Sequence, residues 1–473
     1  MRVRLRWVAV LYVCAALIAC GIPVFAAMKK PPPAAAPLIT QAKAQAYVKQ
    51  IAPLVEKVAG RKFKSIPRVK MSKGWTFIRI PALEMIPLWF TLCPHCSAEQ
   101  IHAGVAEVSH RHATTFAAWY DPKAKCLMIS PNALDRQLEW LAIPSQRSND
   151  HLKLTLAHEL AHALEDQNSY PAPAARKSER CDRLLAVDAT AEGFATYVEI
   201  ETANLLRLSK LESDICERIS VVRSRSANPV ARIIREVSCR LQNETYMGGR
   251  DFIAWHYRHG GIEEVWRILQ HPPAASSMIC HPETYSPELG KSIDIRPALK
   301  AAQACFNGYT EWGITDLGEI QLRSFYWDMD PSLRDRVTSG LECAQVLCGY
   351  GRNQGSLFVT VFVFKKSDIA PGLIAGLDDL LRKRLAADSS VAAVKDLSFG
   401  PFAGVQSDAG GKASFISQPG RWDFRNEFVR VACGRAMVEV FMQSMKNADG
   451  TIAKAIDAAF AKLPKDVTAG LIR

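Results

Sequence analysis

Between Thr40 and Ala59, apolar residues recur at helical spacing. Ala46, Val48, Ile51, Leu54, Val55 and Val58 form one stripe and predict an amphipathic helix. Short apolar runs around Val69 and over Phe77–Ile80 predict strands. Phe116 to Ser130 reads as a hairpin that turns at Asp121-Pro122-Lys123. From His151 to about Gly261 the spacing is helical, with breaks at Pro171, Pro173, Pro229 and Gly248-Gly249, and His271-Pro272-Pro273 closes the block. The texture changes near residue 340. Leu357–Phe364 (LFVTVFVF) predicts a strand, Ala370–Ala387 a helix, several short strands follow up to Val440, and Ala448–Leu463 predicts a last helix. No internal repeat is visible. The pattern implies an α+β chain in two parts: a mainly helical region with a small edge sheet over 41–335, and a separate α+β domain over 340–473.

Composition supports a folded chain. At 473 residues, 48% hydrophobic and 22% charged, the sequence excludes a mainly disordered protein and a polytopic membrane protein. The net charge of +12 favours an anionic surface or substrate, and no nucleic-acid-binding motif accompanies it. Arg2, Arg4 and Arg6 precede an uncharged run from Trp7 to Met28, the layout of a secretory signal. Small residues at Val24-Phe25-Ala26 suit cleavage near residue 26. Leu17-Ile18-Ala19-Cys20 resembles a bacterial lipobox with Cys20 as the lipid carrier, and the whole run is also long enough for a membrane anchor. All three readings put the rest of the chain outside the cytoplasm, in the periplasm, on the cell envelope or secreted. A Pro/Ala-rich tether fills 27–40. The cysteines beyond the leader then predict structural disulfides, with Cys343 and Cys348 close enough to pair across a short loop.

The chemical signal is His158-Glu159-Leu160-Ala161-His162, inside a stretch without glycine or proline. On a helix, positions i and i+4 share a face, so His158 and His162 can hold one metal ion together, with Glu159 placed to handle a water proton. A second helical stretch, Cys181 to Leu206, carries Asp188, Glu192 and Glu199. Glu192 completes a His₂Glu set, with Glu199 the runner-up ligand. Asp188, one turn before Glu192, is the candidate outer acceptor for a histidine N–H. Gly193 allows the two helices to approach closely.

HELAHALEDQ followed by AEGFATY resembles the gluzincins, the glutamate-zincin peptidases, and more narrowly secreted bacterial metallopeptidases with HELTHALQDQ-like and EGxA-like blocks. A third block runs from Tyr246-Met247-Gly248-Gly249-Arg250-Asp251-Phe252 through Pro272-Pro273 to His281-Pro282-Glu283-Thr284-Tyr285. It resembles the downstream pattern of that group, departs from it over Ser276–Ile279 and keeps His281. The resemblance spans roughly 40 to 300. It implies a zincin-like fold, one Zn²⁺ on His158, His162 and Glu192, and hydrolysis of a peptide or protein substrate by zinc-activated water, with Glu159 as general base. The transition-state oxyanion needs a further donor; His281 is the candidate, with Tyr285 and Tyr197 behind it. An extended substrate could align on a strand at Ala117–Tyr120 or Cys126–Ile129.

Two features stand apart. Cys93-Pro94-His95-Cys96 resembles the active site of periplasmic thiol oxidants, with a structural disulfide or a second metal cluster as the alternatives. Arg218, Arg223, Arg225, Arg232, Arg235 and Arg240 read as a solvated helix face, or a contact with anionic envelope material. Two other functions compete with a peptidase: an inactive zincin scaffold for envelope binding or assembly, and a thiol-redox protein using Cys93 and Cys96. The intact histidines, Glu159 and Glu192 argue against the first. The absence of a thioredoxin-sized framework around Cys93 argues against the second.

Overall fold

The computed structural model describes residues 39–72, 103–108, 117–140, 147–168, 181–211, 213, 215, 229–288, 293–309, 311–351, 355–387, 398–400, 413–419, 425–444 and 449–468. The leader with Cys20, the run Phe77–Ile80, and Cys93 and Cys96 lie outside them.

Helix α1 (Gln41–Ala59) starts where the Thr40 hydroxyl accepts from the Lys43 N–H, and ends at Gly60 in the left-handed conformation, φ 66°. It buries Ala44, Val48, Ile51, Ala52, Val55 and Ala59, while Ala46, expected in the stripe, is exposed. A three-stranded sheet follows: β1 (Arg68–Met71) runs parallel to the central β3 (Cys126–Ile129), and β2 (Ala118–Asp121) runs antiparallel on β3's other side. The β2–β3 hairpin forms because the Asp121 carboxylate accepts from the N–H groups of Lys123 and Ala124, an Asx turn at the expected place.

Helices α2 (Pro131–Trp140), α3 (Ser148–Asn168), α4 (Cys181–Leu206), α5 (Pro229–Asn243), α6 (Gly249–Gln270) and the short α7 (Ser277–Cys280) then follow. One π-helical turn, Glu244–Gly248, joins α5 to α6. The helical block does not stop at Gly261. It kinks there, φ 68°, and resumes to Gln270, with His271 as the terminal residue. α3 packs against α1, α4 and β2; α4 packs against α6 and the π-turn.

The remainder is α8 (Arg296–Gln303), β4 (Glu311–Asp316), α9 (Glu319–Phe325), α10 (Pro331–Ser339), β5 (Leu341–Gly351), β6 (Gly355–Phe364), α11 (Ile369–Ala387), β7 (Ser398–Gly400), β8 (Ala413–Pro419), β9 (Arg425–Cys433), β10 (Ala436–Ser444) and α12 (Asp449–Phe460). The seven strands form one antiparallel sheet in the order β4-β5-β6-β10-β9-β8-β7. The boundary expected near residue 340 falls between its first two strands. The sheet is covered on both faces, which explains the unbroken apolar run LFVTVFVF. Leu357, Val359, Val361 and Val363 meet α8 and α12. Phe358, Phe362 and Phe364 belong to the larger core that continues through α9–α11 into the helices around α3. The chain is therefore α+β, with a helical half and a sheet half sharing that core.

No disulfide joins any two of the described cysteines Cys126, Cys181, Cys239, Cys280, Cys305, Cys343, Cys348 and Cys433. The expected Cys343–Cys348 pair fails on geometry. Both sit on β5, five residues apart on one extended strand, so they point to opposite faces roughly 16 Å apart.

Candidate metal centre

α3 is buried along Leu152, Leu154, Leu156, Leu160 and Leu164, which holds it in the core and turns its His158–His162 stripe toward α4. There the two histidines and Glu192 come together. His158 Nε2 stands 3.1 Å from Glu192 Oε2 and 3.2 Å from His162 Nε2, and His162 Nε2 is 3.4 Å from the same carboxylate oxygen. Among the described residues these three form the one group of side chains whose ligand atoms converge in this way. The His158 side chain is 10% exposed and that of Glu192 27%, so the cluster opens on the Glu192 side.

The outer nitrogens are also engaged. His158 Nδ1 faces Glu199 Oε2 at 3.0 Å, and His162 Nδ1 faces Glu165 Oε2 at 3.6 Å. Glu199, the runner-up ligand, thus occupies the outer position expected of Asp188. Asp188 is exposed and acts electrostatically on the Tyr246 phenol. Glu165 was missed at the sequence level, although its i+3 spacing from His162 puts it on the same face.

Glu159 is 7% exposed and is fixed by the hairpin: its Oε2 accepts from the Tyr120 N–H at 2.7 Å. Asp166, two turns further along α3, accepts from the Tyr120 hydroxyl and from Lys125 Nζ, both at 2.6 Å. The hairpin is therefore tied to α3 at two levels. β3 is the central strand, so β2 carries the edge nearest Glu159.

Tyr246 is the second residue missed. It sits on the π-turn, its ring stacked on His158 with centroids 5.7 Å apart, and burial, with Glu192 and Glu159 nearby, pushes its phenol well up. Single π-turns inserted in helices recur at functional sites. The available signal was an aromatic residue just before Gly248-Gly249 in a helical run.

Charge in the cluster is strongly coupled. Burial disfavours the charged form of His162, yet Glu192 and Glu165 push it up to about 10. His158 is likewise raised against burial by Glu192 and Glu199. Glu192, which burial alone would raise, is held far below the ordinary carboxylate range by His162 and His158. Burial pushes Glu159 up despite the two histidines. A dication at this spot would displace the imidazole protons and take over the counter-charge.

Gly193 does permit a close approach, but to α6 rather than α3. A Cβ there would lie 2.2 Å from the Gly249 carbonyl carbon. His281 is not joined to the cluster: its Nε2 pairs with Glu319 at 3.1 Å. Of the residues expected behind it, the Tyr285 hydroxyl donates to the His271 carbonyl, and the Tyr197 ring packs on Tyr257.

No protein-family model matches the sequence, and no curated protein matches it. Among solved structures, the chain is similar to the extracellular domain of PknH from Mycobacterium tuberculosis. The identity is 14%, the match covers 33% of this chain and 80% of that one, and the TM-score is 0.20. None of the described helices is long and apolar enough to cross a membrane.

Proposed function

We propose that the protein is a zinc-dependent peptidase that works outside the cytoplasm. The observation that carries this reading is the convergence of His158 Nε2, His162 Nε2 and Glu192 Oε2 beside Glu159. Zinc sits about 2.0–2.2 Å from nitrogen and carboxylate ligands, so tetrahedral donors stand roughly 3.3–3.6 Å apart. The three separations, 3.1, 3.2 and 3.4 Å, come within a few tenths of an ångström of that spacing. The donor set fits, and so does its surround: carboxylates at both Nδ1 positions keep the ring protons there and leave the Nε2 lone pairs for the ion. When bound, zinc would supply a Lewis acid that polarises a carbonyl and makes water acidic near neutral pH.

The protein's own residues would do the rest. Glu159, oriented by the Tyr120 N–H, takes a proton from the attacking water and returns it to the leaving amine nitrogen. Tyr246, against His158, is better placed than His281 to donate to the developing oxyanion, and replaces it in this reading. The outer edge of β2 offers backbone groups to an extended peptide next to Glu159. The exported setting follows from the expected leader.

Elemental analysis tests the reading. Wild type is expected to hold about one zinc per chain and to cleave members of a broad peptide library, with activity lost to a chelator. His158→Ala/His162→Ala is expected to hold none. Zinc retained in full by that folded double variant, or an inert zinc-loaded wild type, would overturn it.

A further inference from the structure

Glu244 and Tyr246 are two residues apart on the π-turn, so their side chains leave it on opposite sides. Tyr246 faces the histidines. Glu244 faces a cavity of about 400 Å³ whose other walls are Arg240 of α5, Arg323 of α9, Trp327 and Arg334 of α10. Of the arginines expected on a solvated face, Arg235 is buried and Arg240 is half-buried in this cavity, while Arg218, Arg223 and Arg225 lie outside the described residues.

The hydrogen bonding of the three guanidinium groups is incomplete. The Arg240 guanidinium carbon lies over the Trp327 ring, 4.7 Å from its centroid, and among the described residues nothing accepts from its N–H groups. Arg334 spends Nη1 on the Trp327 carbonyl at 3.4 Å and Nε on Asp335 at 3.3 Å. Arg323 spends Nε on Glu319 at 2.9 Å, and Glu319 also pairs with His281. That leaves the Nη groups of Arg323, Nη2 of Arg334 and all of Arg240 without an acceptor among the described residues, and of the described residues that line the cavity Glu244 alone is a carboxylate. Three like charges gathered around a cavity repel one another, and planar guanidinium donors match the oxygens of phosphate and carboxylate groups.

We propose that the Arg240–Arg323–Arg334 cavity is a binding site for a multivalent oxyanion, separate from the histidine–glutamate cluster. The Trp327 ring beneath Arg240 holds its guanidinium at the cavity wall before the ligand arrives. Arg323 and Arg334 approach from two other helices, so the bound anion ties α5, α9 and α10 together.

The test uses the full chain at constant ionic strength, titrated by calorimetry with inorganic pyrophosphate in one arm and citrate in the other. Saturable binding near one per chain is expected in at least one arm, and the tighter arm assigns the phosphate or the carboxylate class. Arg240→Gln/Arg334→Gln should weaken it at least about tenfold, since each charged hydrogen bond lost costs that much or more. Glu244→Gln should tighten it by removing the like-charged wall. Arg296→Gln, an exposed arginine paired with Asp294, should leave it unchanged. The anion-free melting temperature of the double variant should equal or exceed that of wild type, because repulsion is relieved; a structural role for the arginines would lower it. Equal affinity in wild type and the double variant, or no saturable binding of either anion by folded wild type, would overturn the proposal.

Discussion

Two adjacent glycines give opposite expectations. Gly248 and Gly249 share helical backbone angles, φ −61° and −60°. They differ only in what a side chain would meet. A Cβ on Gly249 would lie 2.0 Å from the Ala189 carbonyl oxygen, whereas one on Gly248 finds its nearest neighbour, Glu244 Oε2, at 3.7 Å. Ordinary contact starts at 3.4 Å, so Gly249→Ala must open the α4–α6 contact by about 1.4 Å, and a radial gap of only about 0.5–1 Å forfeits a quarter to a half of the dispersion well. The surface at stake includes the Phe194–Trp266 edge contact at 5.2 Å and the buried Phe252 and Ile253. Four such side chains at roughly 1.5–3 kcal/mol each, with a quarter to a half forfeited and about 1 kcal/mol returned by alanine's helix preference, give a net loss of about 0.5–5 kcal/mol. Gly248→Ala should instead gain about 0.4–1 kcal/mol by restricting the unfolded chain. Urea titration measures both as a shift in midpoint at unchanged slope. A Gly249→Ala protein within about 0.5 kcal/mol of wild type, or two variants shifted alike, would refute the close-approach argument.

Three further outcomes are expected. Glu159→Gln keeps the metal shell, since glutamine is nearly isosteric, but cannot take a proton; peptide turnover should fall on the order of 10²–10⁴-fold with zinc content unchanged. Glu199→Gln should weaken zinc binding about 10–100-fold in a competition titration with a chromogenic chelator, while Asp188→Asn should leave it near wild type. Burial holds His151 at about 4, below the ordinary 6.5, with Nε2 bonded to Gln137. The unfolded chain therefore takes up that proton first as pH falls. The stability is fully present above about pH 6.5 and is lost on the way down to about 4, about 3 kcal/mol in all. His151→Leu should shrink the difference between urea midpoints at pH 7 and pH 4 by most of that amount, and an unchanged difference would remove His151 from the acid response.

The features legible in residue order rest on near neighbours. Thr40 and Gly60 bound α1 because caps act within four residues, and Asp121 makes its turn through its own backbone. His158 and His162 share a face because the helix repeats every 3.6 residues. Even LFVTVFVF carries its answer locally, since a strand that is apolar on both parities has to be covered on both faces. The tertiary structure decided which partner each of these meets. Asp188, Glu192 and Glu199 lie on one stripe of α4, and spacing treats them nearly alike. Which of them reaches Nε2, which reaches Nδ1 and which stays exposed depends on how α4 crosses α3, and α4 is seated in turn on α6 at Gly193 and Gly249. Tyr246 reaches His158 through a π-turn that the apolar pattern does not reveal. His281 is drawn to Glu319, 38 residues further on. Cys343 and Cys348 are close in sequence, yet an extended strand keeps them apart. Each of these turns on a crossing angle or a long-range contact, set by the packing of the whole core rather than by the residues on either side.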